Sequence, residues 1–195
     1  MAANVYQPHL LLLIEDDANR QIVNGFSKHP GLASRRIDPG KPAGGWGVVL
    51  EQFQETHIAL LKRYPHRHLL MVIDFDSTAA KPAAHQTGSL IERRMALFTD
   101  AIPEDLRERV FVIGCADEPE KLVKDTGFHL EEIGWRLAQD CYRTTDEMWG
   151  HHMLKHNADE IGRLRAKVRP FLYALPMDSC YSPRRERGNG RISAW

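Results

Sequence analysis

The chain has 195 residues, of which 43% are hydrophobic and 27% charged, and its 26 Lys and Arg balance 26 Asp and Glu to a formal net charge of zero. That length holds one domain with a real core, or one domain plus a small helical appendage, and the composition is that of an ordinary soluble globular protein. Zero net charge means that composition alone does not announce a nucleic-acid binder.

The opening "MAANVYQPH" lacks the basic segment and apolar core of a signal peptide, and the longest apolar run, Leu10 to Ile14, is far too short to span a bilayer. The expectation is a cytoplasmic protein with no membrane partner. Leu10 to Ile14 is continuous rather than alternating, which predicts a strand buried on both faces. It runs straight into Glu15, Asp16 and Asp17. Ala18, Ile22, Val23 and Phe26 then recur at helical spacing, and "HPG" ends that helix. "ASRRIDPG" has room for a short second strand, and "KPAGGWG" is a turn-rich loop. Trp46 to Tyr64 reads as an amphipathic helix with Val49, Leu50, Phe53, His57, Leu60 and Leu61 on one face.

"HLLMVIDFD" is another buried strand, ending on Asp74 and Asp76. A loop, "STAAKPAAHQTG", leads to a helix over Ser89 to Thr99. "RVFVIGC" is a further buried strand, and "ADEPEKLVKDTG" a capped helix with Pro119 in its first turn. From Phe128 onward the spacing is helical, through "LEEIGWRLAQDCY" and "DEIGRLRAKVRPFLYAL"; the final residues, rich in Arg, Gly and Ser, read as a loose tail. In "WGHHMLKHN", His152 and His156 share a face if the segment is helical, which suits either a zinc pair or a helix contact, and the role of His151, His152 and His156 stays open. The three cysteines (Cys115, Cys141, Cys180) lie far apart without a CxxC pair and read as buried or incidental thiols.

Strands alternating with helices predict an α/β fold: a parallel, Rossmann-like sheet with right-handed crossovers over residues 1–127, a helical extension packed on it over 128–177, and a basic tail over 178–195. In such sheets ligands bind beyond the carboxyl ends of the strands. Each long apolar strand finishes there on acids: Glu15 with Asp16, then Asp74 and Asp76, then Asp117, Glu118 and Glu120. Gathered carboxylates repel one another, and a hard divalent cation is their natural partner. One acid alone is equally well explained as an N-cap. Eight basic residues after Ile161, namely Arg163, Arg165, Lys167, Arg169, Arg184, Arg185, Arg187 and Arg191, face only Asp178 and Glu186 in sequence; the last four are candidate phosphate contacts.

A glutamate closing the first strand, a glycine loop and a DxD closing a later strand resemble the Toprim domain of primases, topoisomerases and, closest, the overcoming-lysogenisation-defect (OLD) nucleases. Glu15 matches the family's glutamate, while Asp16 stands for the glycine and Asn19 for the aspartate of its usual first motif; Gly44, Gly45 and Gly47 resemble its glycine loop, and Asp74 and Asp76 its DxD. "ADEPEKL" resembles the acidic motif of OLD-type enzymes. The likeness runs from Leu10 to Val123. It implies a nuclease using two Mg²⁺ or Mn²⁺ ions. Glu15, Asp74 and Asp76 would hold one ion, and Glu118 or Glu120 with Asp16 the other; Lys121 or Lys124 would offset transition-state charge. It further implies nucleic acid as partner, DNA before RNA, in anti-phage defence or genome maintenance. No GxxxxGK[ST] occurs, so any ATPase would be a separate regulatory subunit; a homo-oligomer stays open.

Two other readings compete. "LLLIEDDANR" also looks like the first strand and acidic pair of a response-regulator receiver, with Asp74 or Asp76 as phosphoacceptor. Against it stand the added glycine loop, "GCADEPE" in place of a hydroxyl residue at the third strand end, and the lack of a strand delivering a lysine. A third reading is a non-catalytic Toprim-fold scaffold that binds a partner protein.

Overall fold

The computed structural model describes residue 4, residues 6–75 and residues 89–174. Asp76, Cys180, Arg184, Arg185, Arg187 and Arg191 fall outside them. Four strands, β1 (His9–Ile14), β2 (Ile37–Pro42), β3 (Arg67–Asp74) and β4 (Val110–Cys115), form one parallel sheet in the order β2-β1-β3-β4. This is the α/β parallel architecture the apolar runs predict. Every residue of β1 and β4 is buried, as a sheet covered on both faces requires. β2 is the exception, half-exposed and carrying Pro39 and Pro42; it lies at the edge, where a missing N–H costs no ladder bond.

One face is covered by α1 (Asp17–Ser27), α5 (Pro119–Thr126), α6 (Leu130–Arg143), α7 (Ala158–Lys167) and the short α8 (Arg169–Leu172). Val23, Leu122, Ile133, Leu137, Ile161, Leu164 and Leu172 meet Leu10, Leu12, Leu70 and Val72 there in one core. The segment after Phe128 thus supplies a helical layer to the same sheet. Pro170 explains why α7 and α8 are two helices, because its ring and missing N–H break the continuous run. α1 and α6 cross at backbone distance: a Cβ built on Gly134 would sit 1.9 Å from the Ile22 carbonyl oxygen, and one on Gly25 1.8 Å from that of Glu131.

The other face carries α2 (Trp46–Gln52), α3 (Ile58–Arg63) and α4 (Leu90–Ala101) over Leu11, Leu13, Leu69, Met71 and Ile73. The helix expected from Trp46 to Tyr64 exists with one modification, a wide π-type turn at Phe53–His57 between α2 and α3. Val49, Phe53, His57 and Leu61 recur every four residues, a longer step than the 3.6 of an α-helix. The wide turn takes up the difference and keeps Val49, Phe53 and Leu61 fully buried on one line.

Candidate metal site at the carboxyl edge

Order β2-β1-β3-β4 places the strand-order reversal at β1 and β3, and the residues that leave these two strands are acidic. Asp16 caps α1, its Oδ1 accepting the Asn19 backbone N–H at 2.9 Å. Asn19 is itself buried, and its side-chain Nδ2 donates to Asp16 Oδ1 and to Asp74 Oδ1, 3.1 Å each. One amide thus draws together carboxylates from the ends of two neighbouring strands. Both hydrogen bonds use Oδ1, so Oδ2 of Asp16 and Oδ2 of Asp74 are left without a hydrogen bond among the described residues.

Glu15 has a bracing role. Its Oε2 accepts the Asp74 backbone N–H at 2.7 Å, and its own carbonyl accepts Gly44 N–H at 2.8 Å. The glycine loop therefore wraps around Glu15, and Gly44 (φ 94) and Gly45 (φ 150) adopt backbone angles that side chains resist. Burial raises the Glu15 pKa above its ordinary 4.5, opposed by the Asp74 and Trp46 backbone N–H groups.

Asp74 is the most perturbed acid of the group. Burial pushes its pKa up to about 8; the Asn19 hydrogen bond opposes this, and the charges of Glu15, Asp16 and Glu120 add to it. Arg94 was not visible as a site residue in the sequence. It is buried on α4, donates from Nη1 to the Asp74 carbonyl oxygen at 2.8 Å, and lies over the Trp46 ring at 4.5 Å from its centroid. The available signal was its place on the apolar stripe of Ile91, Met95 and Phe98, where an arginine needs a reason.

The structure brings Glu15, Asp16 and Asp74 together, with Asn19 and Arg94. Asp16 is joined to Asp74 through Asn19, whereas the sequence reading groups it with Glu118 or Glu120. Those two are exposed at the turn into α5, Glu120 near enough to act on Asp74 by charge. Lys121 is bound to Asp117 Oδ2 at 2.5 Å. Asp76 lies outside the described residues, as do the four tail arginines.

The histidines are placed differently from a shared helical face. Residues 147–154 form turns and a bend rather than an α-helix. His156 packs edge-on against Phe75, ring centroids 5.0 Å apart, while His152 Nε2 lies 3.4 Å from Asp125 Oδ2. Asp125, His151 and His152 bring one ligand-type atom each within 4.8 Å of one another, a group able to hold a metal ion. Cys115 and Cys141 are free thiols, and burial pushes the Cys115 pKa up to about 12, so it stays protonated. No described helix is long and apolar enough to cross a membrane.

Set against protein families, curated proteins and solved structures, the chain finds no match in any of the three, so its chemistry rests on these residues.

Proposed function

We propose that the protein is a Mg²⁺- or Mn²⁺-dependent nuclease acting at the carboxyl edge of β1 and β3. The observation that carries this reading is Asp74: a buried carboxylate beside two others, held by one amide and with an oxygen left over. Asp16 and Asp74, with Glu15, offer the all-oxygen donor set that hard divalent ions prefer, and they would hold the ion. When bound, such an ion supplies charge neutralisation and an activated water for phosphodiester hydrolysis. The residues of this chain do the positioning. Asn19 sets the rotamers of Asp16 and Asp74, Glu15 locks the end of β3, and Arg94 fixes the Asp74 backbone from the opposite side. Asp74 gives up its proton to become a ligand, which its raised pKa makes costly without a cation. The likeness to Toprim and OLD-type enzymes points the same way, toward nucleic acid as substrate.

The receiver reading shares the strand order, which receivers also have. Its fifth strand is absent among the described residues. The outer edge of β4 is sealed by Asn157, Glu160 and Arg163, so no neighbouring strand delivers a lysine among the described residues. Incubating the protein with plasmid DNA and with RNA, in Mg²⁺, Mn²⁺ or EDTA, tests the nuclease. Cleavage that needs the ion and vanishes in Asp74→Asn supports it; no cleavage of either polymer with either ion overturns it. Acetyl phosphate with Mg²⁺ tests the receiver, which requires a base-labile acyl phosphate detected by mass spectrometry.

A further inference from the structure

A second group of ligand-type atoms lies apart from the carboxylates of β1 and β3. Asp125 sits in the last turn of α5, and His151 and His152 on the turns after α6. We propose that Asp125, His151 and His152 form a binding site for a transition-metal ion of the zinc class, tying the end of α5 to that segment.

The distances suit such an ion. Bonds of about 2.0–2.1 Å at tetrahedral angles separate two ligand atoms by about 3.4 Å, and His152 Nε2 and Asp125 Oδ2 are 3.4 Å apart. All three ligand atoms lie within 4.8 Å of one another, so closure needs only small side-chain rotations. The two imidazole rings lie close together, centroids 4.4 Å apart and planes tilted by 37°, a proximity that a shared cation stabilises and that double protonation opposes. His151 Nδ1 accepts the Met153 backbone N–H at a long 3.3 Å, and coordination by this ring replaces or reshapes that weak contact.

The backbone that carries the histidines is held in advance. Asp140 is buried and accepts the N–H groups of Met148 (2.7 Å) and Trp149 (3.1 Å), and the Met153 carbonyl accepts Ala116 N–H at 2.9 Å. Met148, Trp149, Met153 and Leu154 are buried around the pair. Two imidazoles and one carboxylate select Zn²⁺, Co²⁺, Ni²⁺ or Cu²⁺ over Mg²⁺. Three protein ligands leave a fourth position for water or a small anion, beside a cleft lined by Ala116, Asp117, Lys121 and Lys124.

The test is titration of the full-length protein with Co²⁺ in the presence of excess Mg²⁺, which keeps the oxygen-rich carboxyl edge occupied. The expected result is a visible absorption band of four- or five-coordinate Co²⁺ that saturates at one ion per chain and is displaced by Zn²⁺. Asp125 and His152 are exposed, so Asp125→Asn and His152→Ala leave the circular dichroism unchanged. Each should weaken Co²⁺ binding at least about tenfold, while Asp74→Asn leaves it intact. No band, or a band of equal affinity in His152→Ala, overturns the site. Neither result bears on the nuclease reading, which Mg²⁺ and Asp74 decide.

Discussion

Along the outer edge of β4, Gly114 donates its N–H to Asn157 Oδ1 at 3.1 Å and receives Asn157 Nδ2 at its carbonyl at 2.8 Å. Val112 N–H meets Glu160 Oε2 at 3.3 Å, and Arg163 donates to the carbonyls of Arg107 and Val110. Each of these polar groups has its complement, and the three side chains follow every third residue from the N-cap of α7 into that helix. At the carboxyl ends of β1 and β3 the balance is different. Three carboxylates share the donors of Asn19 and a few backbone N–H groups, while Arg94 donates to the Asp74 backbone carbonyl, and burial pushes the Asp74 pKa up to about 8. A sheet edge whose groups are all paired is architecture. One that leaves a buried acid short of donors spends stability to keep a place for a cation, because a buried charge without a partner is costly.

The strongest way to break that comparison is to remove the acid. Asp74→Asn should lower metal-dependent cleavage by about 10³-fold or more, since a lost metal ligand removes several kcal/mol of transition-state stabilisation and each tenfold is about 1.4 kcal/mol. Its thermal midpoint should stay the same or rise. An Asp74→Asn protein that cleaves at full rate would show the edge to be structural after all. Asn157→Ala attacks the other edge. Leaving the Gly114 N–H and carbonyl buried and unpaired costs about 1–3 kcal/mol per group, so urea unfolding should show a loss of roughly 2–6 kcal/mol, with cleavage per folded molecule retained.

How much of this was legible beforehand follows the same division. The strands of the core were readable from continuous apolar runs, since burial on both faces leaves no other pattern. Glu15, Asp16 and Asp74 were readable because a carboxylate directly after such a run sits at the sheet edge whatever the topology. Arg94 and Asn19 were not singled out as site residues, because an arginine or asparagine inside a helix shows its role only when the partner, 20 or 55 residues away, is known. The pairing of Asp125 with His151 and His152 was hidden for the same reason. Spacing inside "GHHMLKH" suggested His152 with His156, whereas turns anchored by Asp140 send His152 toward α5.

Titration gives a smaller effect of definite sign. Asp74 releases its proton near 3.8 when unfolded and near 8 when folded. Between those values the native state holds a proton the unfolded state has lost, so the metal-free protein should lose stability as pH rises from about 4 to about 8 and level off above. Glu15, also raised, adds in the same direction. The slope cannot exceed about 1.4 kcal/mol per pH unit for one group. Urea midpoints at about pH 5 and about pH 8 measure it; Asp74→Asn should flatten it, and Mg²⁺ should restore stability most at the higher pH.

The smallest expected effect concerns the basic residues that follow Ile161. Four of them are already engaged within the fold: Arg163 with Glu160, Arg165 with Asp146, Lys167 with Glu108, and Arg169 with the carbonyls of Cys141 and Tyr142. Such cations hold helices to their neighbours and have little to offer a phosphate. Substituting Lys167 by Ala should therefore shift stability by about 0–1 kcal/mol, as exposed pairs do, and leave the salt dependence of DNA binding unchanged. Deleting residues 182–195 removes Arg184, Arg185, Arg187 and Arg191 instead. If they contact phosphates, each one lost lowers the slope of log K against log salt by about 0.9 on duplex DNA, uniformly across sequences, because each contact releases roughly one counterion. Fluorescence anisotropy over a range of NaCl concentrations gives both slopes. A truncated protein with the full-length slope would remove the tail from the nucleic-acid interface and leave the carboxyl edge as the whole of the site.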